Sequence, residues 1–368
     1  MRIVIVQGAF LPVPPKLGGA VEKRWFAMGK EMAKKGHEVI HISRKYMDLP
    51  FEEEIEGVLH KRVAGYDTPA SGIILKLYDL IYAVRAKKAI PENADVIVTN
   101  TFWLPVLLSA KQKKHCMVDV ARMPKGQMKL YKRVARLKAN SSPVASAIKD
   151  ELPANLSKKV VLIPNPLPFS NFSEIDFNRK GKIILYAGRI HPEKGVDILI
   201  EAFKRIKSDW KLQIIGSWEI RSGGGGAEYL HQLKESSTGA NVEFLEPVYD
   251  TDSLNRIYLA ASIFAYPSVA EKGETFGLAP LEAMAWGCVP VVSALMCFQD
   301  FIDDNGNGFI FNHRDENRSY LLQEKIEALI NNDSLREQTA KRSVKVRESH
   351  SVSLIADRFL AEFKDMNA

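Results

Sequence analysis

Two stretches of the chain have the residue types and spacing to handle a charged leaving group. The first is A-G-R-I-H-P-E-K-G over 187–195, where Gly188 precedes Arg189, and Lys194 follows five residues later. It comes after an apolar run, KIILYA, and opens a helical pattern. Two cations beside the free amides of a helix N-terminus make a binding site for a diphosphate. The bland alternative is a surface Arg and Lys beside a turn. The second stretch is E-K-G-E-T-F-G-L-A-P-L-E-A-M-A-W-G over 271–287. Here Glu274 lies on a loop, and Glu282, eight residues on, lies within a helical pattern. A carboxylate accepts both donors of a vicinal diol, so one Glu suits sugar hydroxyls and the other suits ribose. The helix is predicted to begin near Leu278, which leaves the amides of Phe276, Gly277 and Leu278 as free donors. Gly277 then permits close approach of a ligand to backbone. The bland alternative is a Glu favoured by the helix dipole and an exposed helical Glu. A third stretch, K-L-G-G-A-V-E-K over 16–23, sets Gly18 and Gly19 between a strand and a helix, where backbone can approach a phosphate or sugar. A flexible turn is the alternative there.

These residues need elements to hold them. RIVIVQ (2–7), a helical pattern over 20–35 and HEVIHIS (37–43) form a β-α-β unit, which predicts a parallel sheet. Further strands are predicted at 95–99, 116–120 and 160–163. The three prolines of PNPLPFSNF (164–172) interrupt the pattern and predict a linker. After it the rhythm resumes, with strands at 182–187, 211–215, 241–245, 262–266, 288–292 and 308–311. Helices are predicted at 195–207, 226–236, 251–260, 278–286, 316–331 and 334–347. A last helix, about 351–366, carries Val352, Ile355, Phe359 and Phe363 as a stripe that must be buried. The expected fold is therefore α/β, with two doubly wound, Rossmann-like domains over 1–167 and 168–350. The helix over 351–368 is expected to pack back on the first. Ligands of such sheets sit at the carboxyl ends of the strands, and the expected site is the cleft between the domains.

Length and composition agree with this reading. The 368 residues predict two domains at roughly 100–200 residues each. There is no apolar run of membrane-spanning length and no signal-peptide pattern at MRIVIVQGAF. Three scattered cysteines make no disulfide framework, so a reduced, cytoplasmic chain is expected. The net charge of +7 is uneven. Residues 1–167 carry 28 Lys and Arg against 15 Asp and Glu, and the remainder is net negative. The cationic half should attract phosphates or acidic lipid. Within it, KGQMKLYKRVARLK (125–138) reads as a basic amphipathic helix able to lie on anionic lipid, and 73–89 as a more apolar case. A helix packed into the core with a solvated basic face is the alternative.

Several patterns are set aside. The D-x-D of Asp250 and Asp252 precedes a helix and reads as an N-cap. His37 and His41 share a strand face about 13 Å apart, too far for one metal. No metal site and no nucleic-acid platform is expected, and QGAFLP lacks the dinucleotide glycine pattern.

Taken together, these segments resemble retaining glycosyltransferase family 4, which has the GT-B fold. LYAGRIHPEKG (185–195) resembles its G-R-x4-K-G segment, ETFGLAPLEAMAWGCVPVVS (274–293) its E-x7-E segment, YLAASIFAYPS (258–268) the preceding helix and strand, and LIPN (162–165) its linker. The resemblance implies sugar transfer from a nucleotide diphosphate donor with retained configuration and no metal or other cofactor. Arg189 and Lys194 would stabilise the departing diphosphate, Glu274 would contact the donor sugar and Glu282 the ribose. The 276–278 amides, Gly18, Gly19 and Gly188, and the strand end Gly216-Ser217 would lie against the donor. UDP is the favoured nucleotide, with GDP and ADP open. Many members carry a His after a first-domain strand. Here VDVARMPKGQ (118–127) has none and offers Asp119, Arg122 and Lys125 on the acceptor side. The expected acceptor is a glycan or lipid-linked saccharide, as in exopolysaccharide or envelope glycan assembly, with peripheral contact on the inner membrane face. A catalytically weak carbohydrate-binding or scaffold protein and a nucleotide-sugar epimerase are the alternatives. Lys194→Ala is expected to lower turnover by roughly 10²–10³-fold with little loss of fold.

Overall fold

The computed structural model describes every residue except Gly18, Tyr249 and Ala368. The chain divides into two compact units, Met1–Ser170 with His350–Ala368, and Asn171–Ser349.

The first unit is built on eight strands: β1 (Arg2–Val6), β2 (Glu38–Arg44), β3 (Glu52–Ile55), β4 (Val58–Val63), β5 (Val96–Thr99), β6 (Cys116–Val120), β7 (Arg136–Ala139) and β8 (Val160–Leu162). Their order is β3-β4-β2-β1-β5-β6-β7-β8. All pair parallel except the β3–β4 hairpin at the edge. Strands covered on both faces read as continuous apolar runs, and β1 (RIVIV) and β5 (VIVT) are of that kind. One face packs on helices Gly72–Ala89 and Ser142–Asp150. The other packs on helix Ala20–Lys34 and on the last helix, Val352–Asn367, whose Phe359 meets Trp25 edge-on at 5.0 Å.

Three strands of this unit were not anticipated. β3 is short and polar, and β4 (VLHKRV) mixes apolar with basic residues. β7 falls where a basic amphipathic helix over 125–138 was expected. That expectation is corrected: only a turn of 3-10 helix forms, Gln127–Leu130, after Gly126 at φ 93°. Arg136–Ala139 then pairs with β6 and β8. Leu137 and Ala139 enter one core, while Lys138 on the opposite face is fully buried. The strand period of two overrides the helical reading, because the sheet offers a buried counter-charge to Lys138.

The second unit has six parallel strands: β9 (Gly181–Ala187), β10 (Lys211–Ile215), β11 (Val242–Leu245), β12 (Ala261–Tyr266), β13 (Val289–Ser293) and β14 (Phe309–Phe311). Their order is β11-β10-β9-β12-β13-β14. The chain winds outward from β9 to β11, then returns to place β12 on the other side of β9. That reversal opens a crevice at the carboxyl ends of β9 and β12, where doubly wound sheets hold ligands.

Candidate functional site

The crevice at β9 and β12 gathers the charged residues of both sequence stretches. Past β9, the backbone amides of Gly188 and Ile190 donate to the carbonyls of Ile215 and Ser217 at 3.0 and 2.9 Å, zipping this loop to the one after β10. The approach is too close for any side chain. A Cβ on Gly216 would lie 1.7 Å from the Gly188 carbonyl oxygen, and one on Gly188 would touch Tyr186 and Tyr266 at 3.1 Å. Those two tyrosines stack at 5.6 Å, and the Tyr186 hydroxyl donates to the Arg189 carbonyl at 2.8 Å, holding the turn. The Ser217 Oγ is buried with no hydrogen-bond partner among the described residues.

Arg189 is half-exposed. Its guanidinium donates to the Gly223 carbonyl at 2.7 Å and to Glu193 Oε1 at 2.9 Å. Lys194 closes a 3-10 turn, Pro192–Lys194, that His191 caps by accepting from the Glu193 amide through Nδ1 at 3.2 Å. Its side chain is only 5% exposed and meets Glu274 Oε2 at 2.7 Å. Tyr266, at the carboxyl end of β12, donates its hydroxyl to the same oxygen at 3.2 Å. Burial pushes the Tyr266 phenol well above its usual range, and the Glu274 charge adds to the rise. Glu193 Oε1 lies 3.9 Å from Lys194 Nζ, so two cations and two carboxylates share one charge cluster.

Past Glu274, Phe276 stacks on Phe301 at 5.2 Å and is buried. Gly277, at φ 90°, precedes helix Leu278–Ala285. The space beside Gly277 belongs to Phe298, whose ring carbon would lie 2.3 Å from an added Cβ. Glu282 stands a turn into that helix and accepts from the Tyr258 hydroxyl at 3.3 Å. Thus Lys194 and Glu274 pair directly, Arg189 is linked to them through Glu193, and Glu282 stands apart on the following helix with Tyr258 as its partner. The cluster can neutralise a diphosphate with cations already held in place and offer carboxylates to hydroxyl groups.

Residues 169–346 match the family model described as glycosyl transferases group 1. An uncharacterized glycosyltransferase of Methanocaldococcus jannaschii is 28% identical over 352 residues, covering 84% of each chain. Matches to four further relatives span between 31% and 62% of their length. Sucrose-phosphate synthase from Thermosynechococcus elongatus superposes with a TM-score of 0.77 at 20% identity, over 100% of this chain and 99% of that one. Anabaena HepE in complex with UDP superposes at 0.70 and 16% identity, over 99% and 100%. The chain is a glycosyltransferase of the GT-B fold.

Sequence reasoning missed several residues that organise this glycosyltransferase's cluster: Glu193, Tyr186, Tyr266, Tyr258 and the Gly223 carbonyl. The one available signal was a polar aromatic at each strand's carboxyl end, as in KIILYA and ASIFAY. Of the set-aside patterns, Asp250 caps its helix by accepting from the Ser253 amide at 2.8 Å.

In the first unit, Gly18 lies outside the described residues. Gly19, at φ 94°, precedes helix Ala20–Lys34, and Glu22 folds back over it, so that an added Cβ would lie 2.2 Å from its Oε2. Burial raises the Glu22 carboxyl above its usual range. Arg122 and Lys125 are exposed on the loop past β6. Asp119 is not on that loop but inside the strand predicted at 116–120, so of the three acceptor-side candidates only Arg122 and Lys125 lie on it. Asp119 has no side-chain exposure, is paired with Arg24 and with Lys138 at 3.2 Å, and accepts from the Trp25 indole at 2.9 Å. Burial pushes its carboxyl up, but Arg24 and Lys138 outweigh that and hold it below the usual range. Arg24 also donates to Asn165. The group ties strands β6 and β7 to helix Ala20–Lys34.

Proposed function

We propose that this glycosyltransferase moves a sugar from a nucleotide diphosphate donor, UDP-sugar first among them, with retained anomeric configuration and without a divalent ion or other cofactor. The observation that carries the reading is the pairing of Arg189 and Lys194 with Glu193 and Glu274 at the switch point of the second sheet. As the anomeric carbon–oxygen bond breaks, the electron pair goes to the leaving oxygen and negative charge grows on the diphosphate. Preorganised cations meet that charge at no reorganisation cost, the service a divalent ion gives elsewhere. Glu274 orients the donor sugar's hydroxyls from its loop. Glu282 holds the ribose from its helix, and the amides at 276–278 meet the sugar or phosphate. An acceptor hydroxyl then attacks from the face the diphosphate leaves, and the diphosphate takes its proton. HepE, at the same fold, is described in complex with UDP.

The acceptor is a glycan or lipid-linked saccharide, as in exopolysaccharide or envelope glycan assembly, met from the cytoplasmic side. The cationic first unit supports an acceptor that carries phosphate. Thermal-shift measurements with UDP, GDP and ADP and their sugars test the donor class. A rise with at least one diphosphate, released nucleoside diphosphate undiminished by excess chelator, and an unchanged anomeric configuration by NMR are expected. Chelator-abolished turnover would overturn the metal-free mechanism.

A further inference from the structure

Helix Gly72–Ala89 of the first unit is apolar on both sides. Its inner side is buried on the sheet through Tyr82, Ala83 and Ala86. Its outer side presents Ile73 (83% exposed), Leu77 (52%) and Val84 (42%), with the partly buried Leu80 between them. These four fall at i, i+4, i+7 and i+11, a straight seam along three turns. Ile74, 41% exposed, widens its first turn. A surface helix ordinarily turns polar residues to water, so a seam of this length marks a contact.

The flanks of the seam select the occupant. Lys76, Arg85, Lys87 and Lys88 are the helix's charged residues together with one acid, Asp79, which is buried and accepts from the Trp103 amide at 3.1 Å. Every charge the helix offers to solvent is therefore positive. Lys76 lies over the Phe102 ring at 5.3 Å and Arg85 over Tyr66 at 5.4 Å, so cations are held along the edges of the apolar strip. Pairing with a second copy would gather twice those cations along one helix pair, with no acid to meet them. An anionic lipid surface supplies both complements at once, acyl chain for the seam and headgroup charge for the rim. No described helix is long and apolar enough to cross a membrane, and four cations on 18 residues suit a helix that lies in the interface.

We infer that helix Gly72–Ala89 seats the first unit on anionic phospholipid through Ile73, Leu77, Leu80 and Val84. The inference rests on the lipid-linked acceptor proposed above and moves the membrane contact expected from sequence away from 125–138. The helix follows β4, so its N-terminal end stands at the carboxyl edge of the unit's parallel strands, the edge at which Gly19 and Arg122 lie. A lipid-linked acceptor would be met at that edge.

The test is co-sedimentation of the full-length protein with phosphatidylcholine vesicles, with and without phosphatidylglycerol. Binding to the anionic vesicles only is expected, weakened by salt. Ile73→Ser/Leu77→Ser replaces two exposed aliphatics and should reduce binding by about tenfold or more while the melting temperature holds. Lys87→Glu/Lys88→Glu should reduce it on anionic vesicles as well. No binding of the wild type to either vesicle would overturn the inference, as would equal binding by the Ser variant. A wild-type dimer in sedimentation analysis that the Ser variant dissolves would also overturn it, making a second copy the occupant. Vesicle binding uses no sugar donor, so its failure leaves the transferase reading standing. Failure of donor turnover likewise leaves this one standing.

Discussion

Replacing Lys194 with Met removes the cation that Glu274 faces at 2.7 Å. The Lys194 side chain is 5% exposed and that of Glu274 12%, so the carboxylate cannot simply recruit bulk water. Removing one partner of a buried ion pair costs about 3–5 kcal/mol, because the other charge stays behind unpaired. Glu274 keeps the Tyr266 hydroxyl at 3.2 Å and reaches some solvent, which favours the low end, about 3 kcal/mol. The fold therefore feels this substitution. The burial of the pair sets this cost against the sequence expectation of little loss of fold for Lys194→Ala. Turnover should fall by about 10²–10³-fold, the typical loss for one preorganised charge-stabilising group. A second substitution separates the two effects. Lys194→Met/Glu274→Gln leaves no lone buried charge, so its urea midpoint should return most of the way to wild type while turnover stays low. The assays are urea unfolding and nucleoside diphosphate release at saturating donor. Unchanged turnover in Lys194→Met, or recovered turnover in the double variant, would refute the role given to Lys194. A double variant as unstable as the single would refute the charge-pair account.

Two further predictions concern the first unit. His41 and His60 stack at 5.3 Å inside the sheet, facing Arg62 on His60's own strand, Glu53 on β3 and Phe26 on the helix above. Burial pushes His60 down to about 4 and His41 down as well, with the Arg62 charge adding to both. Below pH 6.5 the unfolded chain takes up protons that the folded chain refuses. Stability is thus fully present above 6.5 and lost as pH falls toward 4, with His60 alone accounting for about 2 kcal/mol by pH 5. A urea midpoint that is flat between pH 7 and 5 would contradict this. Asp119→Asn should destabilise the first unit by about 3–5 kcal/mol by leaving Arg24 and Lys138 buried without a counter-charge. A stable Asp119→Asn protein with a raised acceptor KM would return Asp119 to the acceptor side.

Local signals made much of the second unit legible. Apolar runs ending in Gly, an Asp cap and helical stripes are set by neighbouring residues, so β9 to β14 and the helices between them could be read in order. The Arg189, Lys194 and Glu274 set was legible as chemistry because each residue sits at a strand end or a helix start. Sequence did not reveal how those charges are held. Lys194 and Glu274 are 80 residues apart and pair only because β9 and β12 become neighbours at the reversal of strand order. The same holds for Asp119, Lys138 and Arg24, which lie on separate elements of the local pattern yet are joined across two strands and a helix. Burial of a charge depends on what the sheet places beside it, and a one-dimensional pattern carries no record of that neighbour. Helix Gly72–Ala89 is the reverse case: its composition shows a largely apolar helix with a few cations, and only the packed sheet decides which apolar side is left facing water.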